Sequence, residues 1–137
     1  MLAAMLPIGE ALHATGTADL LARWGLDALG AQSETLLIAG ILLVAILITP
    51  FLNNVTAAVI LAPIAVSLAE QSGLPTAPFL VAVAIGVSTD FLTPFGHHNN
   101  TLVMGLGHYR FVDFPRVGAP LTLIVLLVAP PLIAHFF

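Results

Sequence analysis

Hydrophobic residues run through this chain in long, nearly uncharged blocks that proline, glycine and asparagine repeatedly cut short. Residues 36–49 form the first clear block, about 14 residues or about 21 Å at the helical rise. That is short of the ~30 Å hydrocarbon core of a bilayer. Pro50-Phe51-Leu52-Asn53-Asn54-Val55-Thr56 ends it, and a second short block, 57–69 with Pro63 inside, follows. Two half-length helices joined at a polar tip predict a re-entrant hairpin over 34–70. The alternative is one long helix kinked at Pro50, which buries two adjacent asparagines in the middle of an overlong span.

The turn Glu70-Gln71-Ser72-Gly73-Leu74-Pro75-Thr76 leads into a third block, 77–107. Ser88, Thr89 and Asp90 interrupt it first, then the run Thr93-Pro94-Phe95-Gly96-His97-His98-Asn99-Asn100. Proline lacks an N–H and glycine adds backbone freedom, so the pattern predicts a broken transmembrane helix. Residues 118–137 make a full-length final span, with Pro130-Pro131 expected to kink it. At the other end, 1–8 reads as the tail of a helix whose start is absent, so the chain is expected to be a piece of something longer. The stretch 10–29 is amphipathic: Leu12, Leu20, Leu21, Trp24, Leu26 and Leu29 supply its apolar side, with Thr17 the expected cap. Its charges make 1–33 the end of a helix plus an interfacial connector.

Composition turns this pattern into a membrane protein. The chain is 59% hydrophobic and 7% charged, with a mean hydropathy of +1.08. Soluble domains carry about 25% charged residues, so no water-facing shell can be built from this one. A multi-pass, all-α integral membrane protein is expected, in a bacterial-type inner (cell) membrane and in contact with lipid throughout. Three arginines and no lysine offer no track for nucleic acid. Two of them, Arg110 and Arg116, lie in the loop 107–118, which the positive-inside tendency assigns to the cytoplasm. With no cysteine there is no disulfide framework or thiol nucleophile.

The two interruptions hold most of the uncharged polar side chains able to lie deep in a membrane. Opening a helix there frees backbone groups that lipid cannot satisfy, so a break is tolerated only inside protein or beside a polar cavity. Paired interruptions are the sequence mark of a transporter site: half-helix N-termini face an anion, and freed carbonyls suit a cation. Asn53, Asn54, Thr56, Thr93, Gly96, His97, His98, Asn99 and Asn100 are therefore the candidate substrate and ion contacts. Asp90, an acid inside an apolar run, is a candidate cation or proton site. Helix-to-helix hydrogen bonding competes for single asparagines, and a salt bridge or helix cap competes for Asp90. Adjacent histidines point about 100° apart on a helix, and no third ligand completes a transition-metal set. Ser67, Ser72 and Ser88 have no base and orienting acid in catalytic order, so no enzyme is expected. No cofactor is expected beyond Na⁺ as a coupling ion.

The run Ile48-Thr49-Pro50-Phe51-Leu52-Asn53-Asn54-Val55-Thr56-Ala57-Ala58, with Leu61-Ala62-Pro63-Ile64 after it, resembles the outer re-entrant hairpin of the divalent anion:sodium symporters. Those belong to the ion transporter superfamily, together with citrate-transporter-like permeases. Leu92 to Val103, through the Thr-Pro-Phe-Gly-His-His-Asn-Asn run, is similar to the unwound helix that follows the hairpin. Gly107-His108-Tyr109-Arg110-Phe111, Asp113-Phe114 and Arg116-Val117-Gly118 resemble its loop into the last helix. The residues before the hairpin match more loosely.

The resemblance implies the second inverted repeat of an elevator-type carrier, with the N-terminal half missing, two Na⁺ sites flanking a small anionic substrate, and a homodimer when complete. The hairpin signature Ser-Asn-Thr of that family falls on Asn53, Asn54 and Val55, so two hydroxyls are replaced. Its broken-helix asparagine falls on Asn100, with Gly96 and His97 where Ala or Gly, then Thr, are usual. Carboxylates, sulfate or another oxyanion, and Na⁺ or H⁺ coupling, all stay open. A small homo-oligomeric channel is the alternative function, since it too would gather polar breaks around a pore.

Overall fold

The computed structural model describes residues 7, 10–12, 14–30, 33–95 and 97–137. Six helices are delimited there, and no strand occurs among the described residues: α1 Thr17–Leu29, α2 Glu34–Leu52, α3 Asn54–Ser72, α4 Thr76–Ser88, α5 His98–Gly107 and α6 Asp113–Phe136. Of these, α2, α3 and α6 are long and apolar enough to cross a membrane. Of the predicted 1–33 segment, residues 1–6, 8, 9, 13, 31 and 32 lie outside the described residues.

Helix ends follow from local chemistry. The Ser33 hydroxyl accepts the Leu36 N–H at 3.3 Å and starts α2. Gly73, at φ 69°, stops α3, and the Leu74 N–H returns to the Ala69 carbonyl. Pro78 is tolerated in the first turn of α4, where an N–H has no partner inside the helix. Two expected boundaries move. Both arms around Asn53 are 19 residues long, longer than their apolar runs, because helical hydrogen bonding continues through Pro50 to Leu52 and resumes at Asn54. The last helix opens at Asp113 and runs 24 residues as one helix through Pro130-Pro131.

Helix α4 packs against both α2 and α3, and α6 closes over α2 and α4. Leu37, Ile38, Leu42 and Ile46 of α2, Leu61 of α3 and Phe79 of α4 form the heart of the core, each almost fully buried. In lipid, helices gain little from hiding apolar surface, so small residues that let backbones approach carry much of the packing. Gly86 illustrates it: a Cβ there would stand 2.5 Å from the Ala45 Cβ and 3.1 Å from the Leu42 carbonyl.

Helix α1 refines the sequence reading at its start and along its apolar side, of which Leu26 and Leu29 pack against the core. It begins after Gly16 (φ 71°), so Thr17 is its first residue rather than its cap. It docks through Ala18 and Ala22, both buried, and through Gly25, which faces Leu68. The Ser67 hydroxyl donates to the Asp19 carboxylate at 2.5 Å, and the Gln71 amide to the Asp19 carbonyl at 3.2 Å. The large residues Leu20, Leu21 and Trp24 stay exposed on the side away from these contacts.

Candidate functional site

One residue separates α2 from α3. Asn53 has φ 63° and ψ 162°, a backbone region that is essentially glycine's alone and costs other residues about 1–3 kcal/mol. Its N–H bonds the Thr49 carbonyl at 3.0 Å, finishing α2, while its carbonyl accepts from Ala57 at 3.0 Å, starting α3. Its side-chain Oδ1 accepts the Thr56 N–H at 3.0 Å. One asparagine thus caps two helices. Asn54, next in line, has its Oδ1 buried with no hydrogen-bond partner among the described residues.

The second interruption is longer. Helix α4 ends as the Thr89 hydroxyl turns back to the Ile85 carbonyl at 2.7 Å. Asp90 follows at 3% exposure; its Oδ1 accepts a long bond, 3.4 Å, from the Thr93 hydroxyl, and its Oδ2 is buried without a partner among the described residues. Side chains from beyond the break then satisfy the opened backbone. The Asn100 amide donates to the Asp90 carbonyl at 3.0 Å and to the Thr93 carbonyl at 3.2 Å. The Thr101 hydroxyl donates to the Pro94 carbonyl at 2.6 Å. On the other side Gly118 of α6 lies so close to the Phe91 carbonyl that no side chain would fit between them.

Among the sequence candidates, Asp90, Thr93 and Asn100 are brought into one hydrogen-bonded group, and Asn53 joins Thr56 in another. His97, His98 and Asn99 are exposed, although His97 is near enough to act on the Asp90 carboxylate electrostatically. Gly96 lies outside the described residues. The tight turn at Gly73 sends α4 back along α3, and so carries the break toward the end of α3 that begins at Asn53. Both polar interruptions therefore belong to the same end of this helix pair. No group of three or more His, Cys, Asp or Glu suited to a metal ion occurs among the described residues.

Thr101 and Gly118 are positions that the sequence pattern missed. Thr101 sits directly after the Asn-Asn pair and was readable as one more hydroxyl at the break. Gly118 gave no local signal, since its partner is a backbone carbonyl from 27 residues earlier.

Helices of spanning length, broken by polar stretches that satisfy their own backbone, define a multi-pass integral membrane protein. The family model described as citrate transporter matches residues 1–136, and the chain belongs to that family. An uncharacterised transporter of Synechocystis sp. is 38% identical over 133 residues, covering 97% of this chain and 22% of that protein. The uncharacterised transporter YfbS of Escherichia coli is 34% identical over 137 residues, covering all of this chain and again 22% of the relative. Sodium/sulfate cotransporter 2 of Chlamydomonas reinhardtii is 28% identical over 130 residues, 93% of this chain and 15% of its own length. The chain spans about a fifth of the length of the first of these relatives. They are named as transporters, not enzymes. No solved structure matches the chain.

Proposed function

We propose that this chain is the C-terminal, ion- and substrate-holding part of a secondary active anion transporter, coupled to Na⁺ or H⁺ and carrying a carboxylate, sulfate or similar oxyanion. One observation carries the reading: at Asn53 an asparagine holds a backbone conformation that is otherwise glycine's, beside an Asn54 side-chain Oδ1 that is buried without a partner among the described residues. Strain of this kind persists where the surroundings over-determine it, and it concentrates at ligand clamps. The Asp90 Oδ2, buried without a partner among the described residues, is the second hard oxygen on offer, and hard oxygens are what a small cation takes.

In this reading α2 and α3 are the arms of a re-entrant hairpin, and α4, the break and α5 are one interrupted helix. The preceding part of the longer protein supplies an inverted copy of the same device, and two complete chains form a homodimer. Relatives named for sodium and sulfate favour an oxyanion with Na⁺ as partner. The membrane is the inner one of a bacterium, in keeping with the bacterial relatives.

The test is uptake of radiolabelled citrate and sulfate by the full-length protein in proteoliposomes, with and without a Na⁺ gradient. Asn54→Ala and Asn100→Ala are expected to insert normally yet lose most of the uptake. Wild-type uptake in both variants ends the proposal, and ungated flux with no gradient dependence points instead to a channel.

A further inference from the structure

Besides the Asn54 and Asp90 oxygens, one more side-chain atom is buried without a hydrogen-bond partner among the described residues, the Thr122 Oγ1. Thr122 lies in the third turn of α6 and belongs to neither polar interruption. A hydroxyl inside a helix is normally satisfied by the carbonyl four residues back. Thr49 bonds Ala45 in this way, Ser88 bonds Ala84 and Thr89 bonds Ile85. Thr122 makes no such bond to Gly118, although only 6% of it is exposed. A bare buried hydroxyl is costly, so its place calls for an occupant.

Register sets this hydroxyl beside Asp90. Gly118, one turn earlier on the same stripe of α6, abuts the carbonyl of Phe91, the residue after Asp90. One turn later, Val125 and Leu126 pack on the core that α2 and α4 build. Thr122 therefore stands between the break and the core, at the level where α4 ends. Gly86 of α4 meets Ala45 of α2, and the next turn of each carries a buried threonine, Thr89 and Thr49. Asp90 and Thr122 are closed over by this chain's own segments, so further parts of the longer protein have almost no surface of either to reach.

Charge selects the occupant. The Asp90 carboxylate has one bare oxygen and one long bond from Thr93, and a carboxylate so enclosed needs a counter-charge. The carbonyl end of α4, which leads into Asp90, also favours a positive charge. One carboxylate among neutral hydroxyls balances a single positive charge, and no group of three or more His, Cys, Asp or Glu suited to a metal ion occurs among the described residues. We infer that Asp90 and Thr122 hold one dehydrated monovalent cation between the break and α6, with the Thr122 hydroxyl as a direct ligand. The inference rests on the reading that the bare Asp90 oxygen serves a cation, and it does not depend on the hairpin tip at Asn53.

The experiment is equilibrium binding of radiolabelled Na⁺ to the purified full-length protein in detergent, counted as ions per chain. Thr122→Val keeps the shape and removes the hydroxyl, and it is expected to weaken one Na⁺ about tenfold, the effect of one lost bond to a charged group. Thr122→Ser should restore that ion. Asp90→Asn should lose the same ion, so the double variant loses no more than Asp90→Asn alone. If Asp90→Asn does not fold, the valine and serine variants at Thr122 decide. In choline chloride Thr122→Val should unfold at or above the wild-type temperature, since a bare buried hydroxyl is gone, and it should gain less than the wild type when NaCl is added. Wild-type Na⁺ binding by Thr122→Val overturns the inference, whether the hydroxyl then meets a buried water or another part of the protein. Additive ion losses in the double variant overturn it too. Loss of one ion in Thr122→Val beside wild-type uptake in Asn54→Ala and Asn100→Ala would uphold this site while ending the carrier reading.

Discussion

The junction at Asn53 and the break after Thr89 look alike in sequence, yet they solve the same problem in opposite ways. Both open a helix at a proline-flanked, asparagine-rich stretch in an apolar chain. At Asn53 the solution is a single residue: its N–H, carbonyl and side chain serve both adjoining helices, and the backbone bears the strain. At the break no helix includes Thr89 to Phe95, and donors ten and seven residues along the chain return to Asp90, Thr93 and Pro94. The junction is a single residue; the break is held by side chains and leads into α5, which packs on no other helix among the described residues. Polar residues at these two openings therefore divide into those that keep the backbone satisfied and those whose buried oxygens have no partner among the described residues. Asn53, Asn100 and Thr101 fall in the first group, and the Asn54 and Asp90 oxygens in the second.

The largest test of this contrast is Gly118→Val. Its side chain would have to occupy the space of the Phe91 carbonyl, which is backbone and cannot rotate aside. A loss of about 3 kcal/mol, the upper part of the range for overpacking, is expected from thermal unfolding in detergent. An unchanged midpoint would mean that α6 does not hold the break in place. Asn100→Ala comes next. It strips donors from two carbonyls in a half-buried site, with an expected loss of about 2 kcal/mol. Asn100→Asp should be no milder, since a carboxylate cannot donate to those carbonyls; rescue by aspartate would show that the amide acts on something else. Thr101→Val keeps shape and removes one hydrogen bond to the Pro94 carbonyl, with about 1 kcal/mol expected to be lost.

Much of this fold is legible in the chain because apolar blocks and helix breakers act locally. The blocks locate α2, α3, α4 and α6, and Pro94 with its neighbours locates the break. What local pattern misses is set by contacts between distant segments. Leu20, Leu21, Trp24, Leu26 and Leu29 read as one apolar side of α1, but that side divides: Leu26 and Leu29 pack against the core, Leu20, Leu21 and Trp24 stay exposed, and the buried contacts are Ala18 and Ala22. The arms at Asn53 read as half-length, because hydropathy falls at Pro50 while helical hydrogen bonding does not. Which asparagine oxygen is engaged and which is bare depends on backbone angles that no spacing rule states.

The finest test bears on Asn53, where two effects oppose each other. Asn53→Gly removes the side-chain cap on Thr56, a loss of only a few tenths of a kcal/mol for glycine at such a position. The same substitution relieves the backbone, since glycine alone occupies φ 63° and ψ 162° without penalty. Stability should therefore hold or rise, by about 1 kcal/mol at most if half the strain is released. Asn53→Ala, which loses the cap and keeps the strain, should fall by about 1 kcal/mol or more. If the asparagine is there for a ligand, the glycine variant of the full-length protein will be the more stable of the two and still transport poorly. Were it to transport as the wild type does, the side chain at Asn53 would be a cap and nothing more, and the junction would differ from the break in serving structure alone.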